Sequence, residues 1–250
     1  MEFIVRAMRF LFTLAISIFF TITFFITIPI YFLIFSFYKK GRAAVIAHRL
    51  TRYWGKSLFI LFLVRLKIKN KHFIDPKKTY VFVANHQSFL DIPAYTIACN
   101  NTLRFLAKVE LTRAPLLGYV IKNLYISVDR KDKLARIKSM ENMMNSLKEG
   151  VSVFICPEGT RNRTDKPLLD FHDGAFRLAI ESQLPLAVLT LIDSKKLLSP
   201  ARPFELSPGT IHCTWSKPID TKGMTMEDLL RLKEQVRGMM MESLGEMEVR

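Results

Sequence analysis

A histidine and an aspartate five residues apart directly follow a short apolar segment. Residues 80–84 are β-branched or aromatic apart from Ala84, which predicts a strand ending just before His86. Within one regular helix, His86 and Asp91 would lie about 140° apart and could hardly touch. With His86 in the turn before a helix and Asp91 in its first turns, the carboxylate reaches one ring nitrogen. That arrangement fits a general base acting on a substrate hydroxyl, with Ser88 as a helix N-cap or a nucleophile.

A second polar cluster follows the apolar segment 151–156, which also predicts a strand. Gly159 allows a tight turn and a close backbone approach. Arg161 offers a planar set of donors that suits a phosphate. Glu158 can orient that arginine or accept a substrate hydroxyl. On its own, the cluster would be better explained as a surface turn that carries an ordinary Glu–Arg pair.

Two further strand ends carry charged residues. Asp129 and Arg130 follow the segment 124–128, where they can form an anion site or simply a solvated charge at a helix start. Lys108 follows the segment 103–107 and opens the loop between these strands. No metal site is expected, since the three cysteines are far apart and His172 and His212 match no metal-ligand spacing.

These residues require a scaffold in which strands and helices alternate. Strands are predicted at residues 80–84, 103–107, 124–128, 151–156, 185–192 and 211–215. Helices are predicted at residues 133–148, 175–181 and 225–247, the first with Leu134, Ile137, Met140, Met144 and Leu147 on its apolar face. The pattern indicates an α/β domain over residues 79–250, with a mixed, largely parallel sheet flanked by helices.

The N-terminal segment carries no charged residue from Phe10 to Tyr38, a run of 29 residues. About 20 residues cross the hydrocarbon core of a bilayer, and the apolar part of a cleaved signal has about 7–15. We therefore expect residues 1–42 to form a permanent membrane anchor. It is either one tilted span or, because Pro29 can break a helix, two helices that return to the same face.

The segment 43–78 is basic and only partly apolar. Residues 1–78 hold 14 Lys or Arg and 2 Asp or Glu, which places most of the net charge of +15 beside the anchor. This distribution favours an anionic membrane surface, and no nucleic-acid-binding motif accompanies the charge. We expect either an interfacial amphipathic helix or an ordinary helix that covers the catalytic domain.

The motifs together resemble those of the 1-acylglycerol-3-phosphate acyltransferases of phospholipid synthesis. Residues 85–91 (NHQSFLD) match the NHxxxxD block, and residues 156–161 (CPEGTR) match the FPEGTR block with Cys156 in place of an aromatic residue. The intermediate block resembles residues 108–118 and 128–130. The fourth block resembles residues 184–188, with Val188 where a second proline is common. The resemblance covers residues 79–220 in the family's order.

The resemblance implies a glycerolipid acyltransferase-like fold and specific residue roles. His86 is expected to be the general base, with Asp91 as its partner. The glycerophosphate site is expected to contain Glu158, Gly159, Thr160, Arg161, Arg130 and Lys108. No metal and no further cofactor are expected.

The implied reaction moves a fatty acyl group from a thioester to the free sn-2 hydroxyl of lysophosphatidic acid, giving phosphatidic acid. The donor is expected to be acyl-CoA or an acyl-acyl carrier protein. The expected location is the cytoplasmic face of the inner membrane. Alternatives are the same reaction on another lysolipid, a membrane-bound thioesterase, or a non-catalytic membrane-binding protein on the same fold.

Overall fold

One sheet of seven strands forms the centre of the molecule. The computed structural model describes residues 2–129 and 132–248. The strands are β1 (Val64–Lys69), β2 (Val81–Ala84), β3 (Leu103–Lys108), β4 (Ile126–Val128), β5 (Ser152–Ile155), β6 (Leu186–Ile192) and β7 (Gly209–Trp215). Their order across the sheet is β1-β7-β6-β2-β5-β3-β4. Among the strands of the described residues, β6 and β7 form the one antiparallel pair, which confirms the predicted mixed, largely parallel sheet.

Helices cover both faces of this sheet. They are α1 (Glu2–Phe37), α2 (Lys40–Leu61), α3 (Asp91–Ala98), α4 (Leu117–Leu124), α5 (Lys133–Lys148), α6 (Gly174–Ser182), α7 (Ser194–Leu197) and α8 (Leu229–Glu248). Successive strand side chains point to opposite faces. Phe82 accordingly joins a first core with α2 and α3, whereas Val83 joins a second core with α5, α6 and α8. The buried strands thus read as continuous apolar runs.

Helix α1 is continuous through Pro29, so the break considered at that proline is absent. Residues Ala7–Phe37 are long and apolar enough to cross a membrane. One side of α1 packs on the rest of the protein: Ile16 belongs to the first core, and the Thr13 hydroxyl accepts the backbone amide of Leu206 at 2.9 Å. Large apolar side chains are exposed elsewhere on this helix, including those of Phe10, Leu11, Ile18, Phe25, Ile26 and Leu33.

Helix α2 runs back along α1 and lies against the domain. The Tyr31 and Thr51 hydroxyls are 2.6 Å apart, and the Trp54 indole donates to Thr23 Oγ1 at 3.1 Å. Arg52 donates from Nε to the carbonyl of Thr96 at 3.1 Å, near the end of α3. Helix α2 thus packs on the domain, with one of its arginines engaged inside the protein, and contact of its exposed face with a membrane surface stays a prediction.

The sheet begins earlier than residue 79. Strand β1 lies inside the segment expected to be juxtamembrane and pairs in parallel with β7. The expectation that all strands lie from residue 80 onward is therefore wrong. The alternation of apolar and basic residues in β1 is typical of a half-buried strand, but its positive charge favoured a membrane-surface interpretation. Exposed Arg65, Lys67 and Lys69 also protect this edge strand from pairing with another chain.

Helix α5 has the predicted bounds, and its predicted apolar face is buried in part: Leu147 lies in the second core, and Met140 and Met144 pack against that core. The buried side chains are those of Ser139, Met143, Ser146 and Leu147. Leu134 and Ile137, expected in the core, are 75% and 50% exposed. The apolar spacing predicted the helix correctly, whereas the direction of its packing depends on the two serines that fit against the sheet.

Candidate active site

The carboxyl ends of β2, β3 and β5 meet at one edge of the sheet. These strands are parallel, with Val83 beside Ile155 and Phe105 beside Phe154. The residues that follow the strands therefore gather at that edge, where open α/β sheets bind ligands. This arrangement of the strands brings the turn that contains His86 together with the loop that contains Glu158 and Arg161.

His86 and Asp91 form the predicted pair. His86 Nδ1 lies 2.9 Å from Asp91 Oδ2, and Asp91 is fully buried at the first position of α3. The same oxygen accepts the amides of Gln87 at 2.6 Å and Ser88 at 2.7 Å. With this oxygen accepting from its neighbours, the histidine proton resides on Nδ1. The other ring nitrogen then has a free lone pair and can act as a base.

Ser88 has neither of the two roles considered for it. Its side chain is fully buried, and its hydroxyl donates to the Leu198 carbonyl at 2.7 Å while accepting the Leu90 amide at 3.2 Å. A hydroxyl held in this way is not placed to attack a substrate. The N-cap of α3 is Leu90, so Ser88 stabilises the turn before the helix rather than capping it.

Glu158 joins the two motifs through the backbone. Its oxygens accept the amide of His86 at 2.7 Å and the amide of Leu169 at 2.9 Å. The side chain is 3% exposed, and burial raises the pKa of this carboxyl above its usual value. The expected pairing with Arg161 is not the one observed, because both oxygens are engaged by main-chain amides. These contacts indicate that Glu158 holds the loop; direct contact with a substrate stays a prediction.

Gly159 lies in a tight turn, as predicted. Its φ of +69° is in the left-handed region that favours glycine, and its amide donates to the Cys156 carbonyl at 3.0 Å. Three residues later, the Asn162 amide donates to the His86 carbonyl at 2.7 Å. Asn162 is buried and gives a second link between the motifs, which sequence reasoning missed. Thr160 is exposed on the same turn.

Arg161 lies over the ring of Phe89, inside the loop of the histidine motif. Its guanidinium carbon is 3.5 Å from the ring centre, a cation–π contact that orients the planar group. One terminal nitrogen, Nη1, is buried without a hydrogen-bond partner among the described residues. Burial also lowers the pKa of Arg161. An oriented guanidinium with an unused donor is well suited to an anionic ligand.

For the remaining predicted binding residues, the structure shows few contacts or none that can be described. Lys108 is the last residue of β3, and its ammonium is exposed and 4.0 Å from the Glu110 carboxylate. Arg130 lies outside the described residues.

A second His–Asp pair was missed: His212 Nδ1 lies 3.1 Å from Asp193 Oδ2, near the same edge of the sheet. Its partners are 19 residues apart in sequence, too far for a local motif to reveal them.

Comparison with known proteins supports the same interpretation. A model of the acyltransferase family matches residues 65–191, a stretch that contains both motifs. The chain belongs to the acyltransferase family. The mouse 1-acyl-sn-glycerol-3-phosphate acyltransferase alpha is 31% identical over 72% of this chain and 64% of its own length. An uncharacterized acyltransferase of Schizosaccharomyces pombe is 31% identical over 78% of this chain and 71% of its own.

The acyltransferase fold is also seen in a solved structure. The 1-acyl-sn-glycerophosphate acyltransferase PlsC from Thermotoga maritima aligns over 100% of this chain and 99% of its own, with a TM-score of 0.82 and 23% identity. This similarity extends to the two N-terminal helices, since the whole chain is covered. It confirms the expected glycerolipid acyltransferase-like fold.

Proposed function

We propose that this acyltransferase converts lysophosphatidic acid to phosphatidic acid, using a fatty acyl thioester as donor. The observation that carries the proposal is the contact of Arg161 with Phe89. Phe89 lies three residues after His86 in one short turn. A group suited to the substrate phosphate and a group suited to removing a hydroxyl proton therefore share one small structural unit.

His86 is the general base of the proposed reaction. Its Nε2 removes the proton from the sn-2 hydroxyl as that oxygen attacks the thioester carbonyl carbon. The resulting tetrahedral intermediate expels the thiolate when the carbon–sulfur bond breaks, and the imidazolium returns the proton to the sulfur. Asp91 stabilises the imidazolium and keeps the proton on Nδ1. No protein nucleophile is required.

Arg161 is proposed to bind the phosphate of the acceptor, with Lys108 and Arg130 as further candidates. A bidentate phosphate contact fixes the distance from the phosphate to the hydroxyl that reacts at His86. Positioning of this kind accounts for much of the acceleration of a bimolecular acyl transfer. The reaction is redox-neutral, so we expect no cofactor beyond the acyl-CoA or acyl-acyl carrier protein donor.

We further propose that α1 inserts into the membrane in which the acceptor lies. Exposed apolar side chains along this helix support insertion, because a soluble surface rarely presents so large an apolar face. Exposed Arg49 and Lys56 on α2 suit anionic headgroups. The basic flanks of α1 favour the cytoplasmic face of the inner membrane.

The test is an acylation assay of the full chain in anionic phospholipid vesicles. Acyl-CoA is offered with lysophosphatidic acid or with lysophosphatidylcholine, lysophosphatidylethanolamine or a lyso-aminolipid, and diacyl product is measured. We expect phosphatidic acid as the main product and none from the His86→Ala variant. Preferential acylation of another lysolipid would identify that lysolipid, rather than lysophosphatidic acid, as the acceptor. Thioester hydrolysis alone would indicate a thioesterase, and no turnover with any acceptor would favour the non-catalytic alternative.

A further inference from the structure

A surface groove lies between α5 and α6, on the side of the sheet occupied by the second core. Its volume is about 710 Å³. Ile137, Met140 and Met144 contribute apolar surface to it, and Leu134 is exposed on the same helix, one turn from Ile137. Met140 and Met144 also pack in part against the second core, whereas Leu134 and Ile137 are left exposed.

The rim of the groove is positively charged after internal pairing. Each acidic residue on it has a basic partner within 4.0 Å: Glu141 with Lys138, Asp173 with Lys233, and Glu181 with Arg177. The lining residues Lys133, Arg136 and Lys148 have no carboxylate within that distance among the described residues. An apolar floor with three unpaired cations is complementary to an acidic amphipathic surface.

If α1 is the helix that inserts into the membrane, the groove cannot face the bilayer. Ile16 of α1 belongs to the first core, whereas Met143 of α5 belongs to the second. The groove and the apolar face of α1 therefore lie on opposite faces of the sheet. What binds in the groove must approach from the aqueous side.

The groove also begins at the edge of the sheet that carries the active site. Helix α5 starts at Lys133, five residues after the carboxyl end of β4, and α6 starts at Gly174, directly after the loop of Glu158 and Arg161. Lys133 and Gly174 both line the groove. A partner bound there would lie at the same edge of the sheet as the reacting groups.

We propose that the α5–α6 groove is the docking site for the donor when the acyl chain is carried by a protein. The partner is an acidic helical acyl carrier protein, with an apolar and acidic helix lying along α5 and its thioester arm directed to His86. This inference rests on the proposed function and specifies its donor. Acyl-CoA, which lacks a protein surface, would not require the groove.

The test compares both donors on charge-reversal variants of the full chain. Lys133→Glu/Arg136→Glu reverses two groove cations, and Lys77→Glu/Lys78→Glu is the matched control, since both lysines are exposed before β2 at the opposite edge of the sheet. We expect the groove variant to raise KM for the acyl carrier protein donor by about tenfold or more, with KM for acyl-CoA unchanged. The control should leave both values unchanged. Ile137→Ser should also raise KM for the acyl carrier protein donor and leave KM for acyl-CoA unchanged.

Direct titration of acyl carrier protein against each variant separates this inference from the proposed function. Binding to the wild type that is lost only in the groove variant supports docking, even if no phosphatidic acid forms. Equal effects on the two donors would overturn the docking site, as would unchanged use of the carrier protein by the groove variant. A wild type that acylates from acyl-CoA but neither binds nor uses the carrier protein would overturn it as well, while leaving the proposed function intact.

Discussion

The Glu158 carboxylate accepts the backbone amide of His86 at 2.7 Å. The main-chain position of the proposed base is therefore set by a residue of the other motif. Asn162 adds a second link, because its amide donates to the His86 carbonyl. His86 is held on both sides of its peptide backbone and by Asp91 at its ring. The two motifs thus form one structural unit whose parts respond together to mutation.

Replacement of His86 by alanine should remove most turnover. Loss of a general base costs about 10²–10⁴ in rate, and Asp91→Asn should also be severe because the ring tautomer is no longer enforced. The measurement is kcat with acyl-CoA and lysophosphatidic acid, together with a thermal unfolding curve that shows a retained fold. The matched control is His212→Ala, which disrupts the second His–Asp pair and should keep near wild-type activity. Equal losses in the two variants would contradict the role of His86.

Replacement of Glu158 by alanine should lower both stability and kcat. Two buried amides, those of His86 and Leu169, would lose their acceptor, and each unsatisfied group costs about 1–3 kcal/mol. The free energy of unfolding in detergent measures the first effect, and steady-state kinetics at low temperature, where the variant stays folded, measure the second. If stability falls and kcat does not, the backbone of His86 is held sufficiently by Asn162 alone.

Glu158 should also make stability depend on pH. Burial raises its pKa above the usual 4.5, so the folded state binds this proton more tightly than the unfolded chain does. The contribution of Glu158 to stability is therefore greatest at low pH and declines as pH rises above 4.5 through the folded-state pKa. Glutamine does not titrate, so Glu158→Gln should gain stability relative to the wild type over that interval. Urea unfolding of both proteins across the interval tests this, and a constant difference would contradict the raised pKa.

Replacement of Arg161 by lysine should mainly raise KM for the acceptor. Lysine keeps the charge but loses the planar fork and its stacking on Phe89. Phe89→Leu should produce a smaller effect of the same kind, since it removes only the surface that orients the guanidinium. KM for acyl-CoA is the internal control and should stay constant. A rise in donor KM with constant acceptor KM would assign Arg161 to the donor and make Arg130 the first candidate for binding the phosphate.

The full chain should remain in membranes during a high-salt wash. The free energy gained by burying apolar side chains in lipid does not depend on ionic strength. Each large side chain contributes about 1.5–3 kcal/mol to the free energy of insertion. Phe25→Ser/Ile26→Ser/Leu33→Ser should weaken retention, because all three side chains are exposed on α1. The matched control is Phe204→Ser/Met226→Ser/Leu230→Ser, which removes exposed apolar side chains from the catalytic region. Release of the wild type by salt would contradict insertion.

Local features of this protein were predictable from sequence, and contacts between distant residues were not. The His86–Asp91 pair was anticipated because five residues and one helix start determine it. The Glu158–His86 bond joins residues 72 positions apart, and no pattern in either motif contains that information. The apolar face predicted for α5 is buried only in part, because periodicity counts apolar residues and Leu134 and Ile137 stay exposed. Ser139 and Ser146 are buried beside it, since small side chains let this helix approach the sheet.

The pairing of β1 with β7 has a consequence for synthesis of the protein. Asn70, just after β1, bonds to Trp215 of β7 across 145 residues, so β1 finds its neighbour only when most of the chain has left the ribosome. Helix α1 is available far earlier. During translation the apolar helix can therefore reach the lipid while the sheet is still incomplete, and closing such a distant contact is slow. We expect nascent chains to depend on early insertion of α1 into the membrane. A chain free in solution before β7 has paired would expose the unpaired side of β6, which can aggregate.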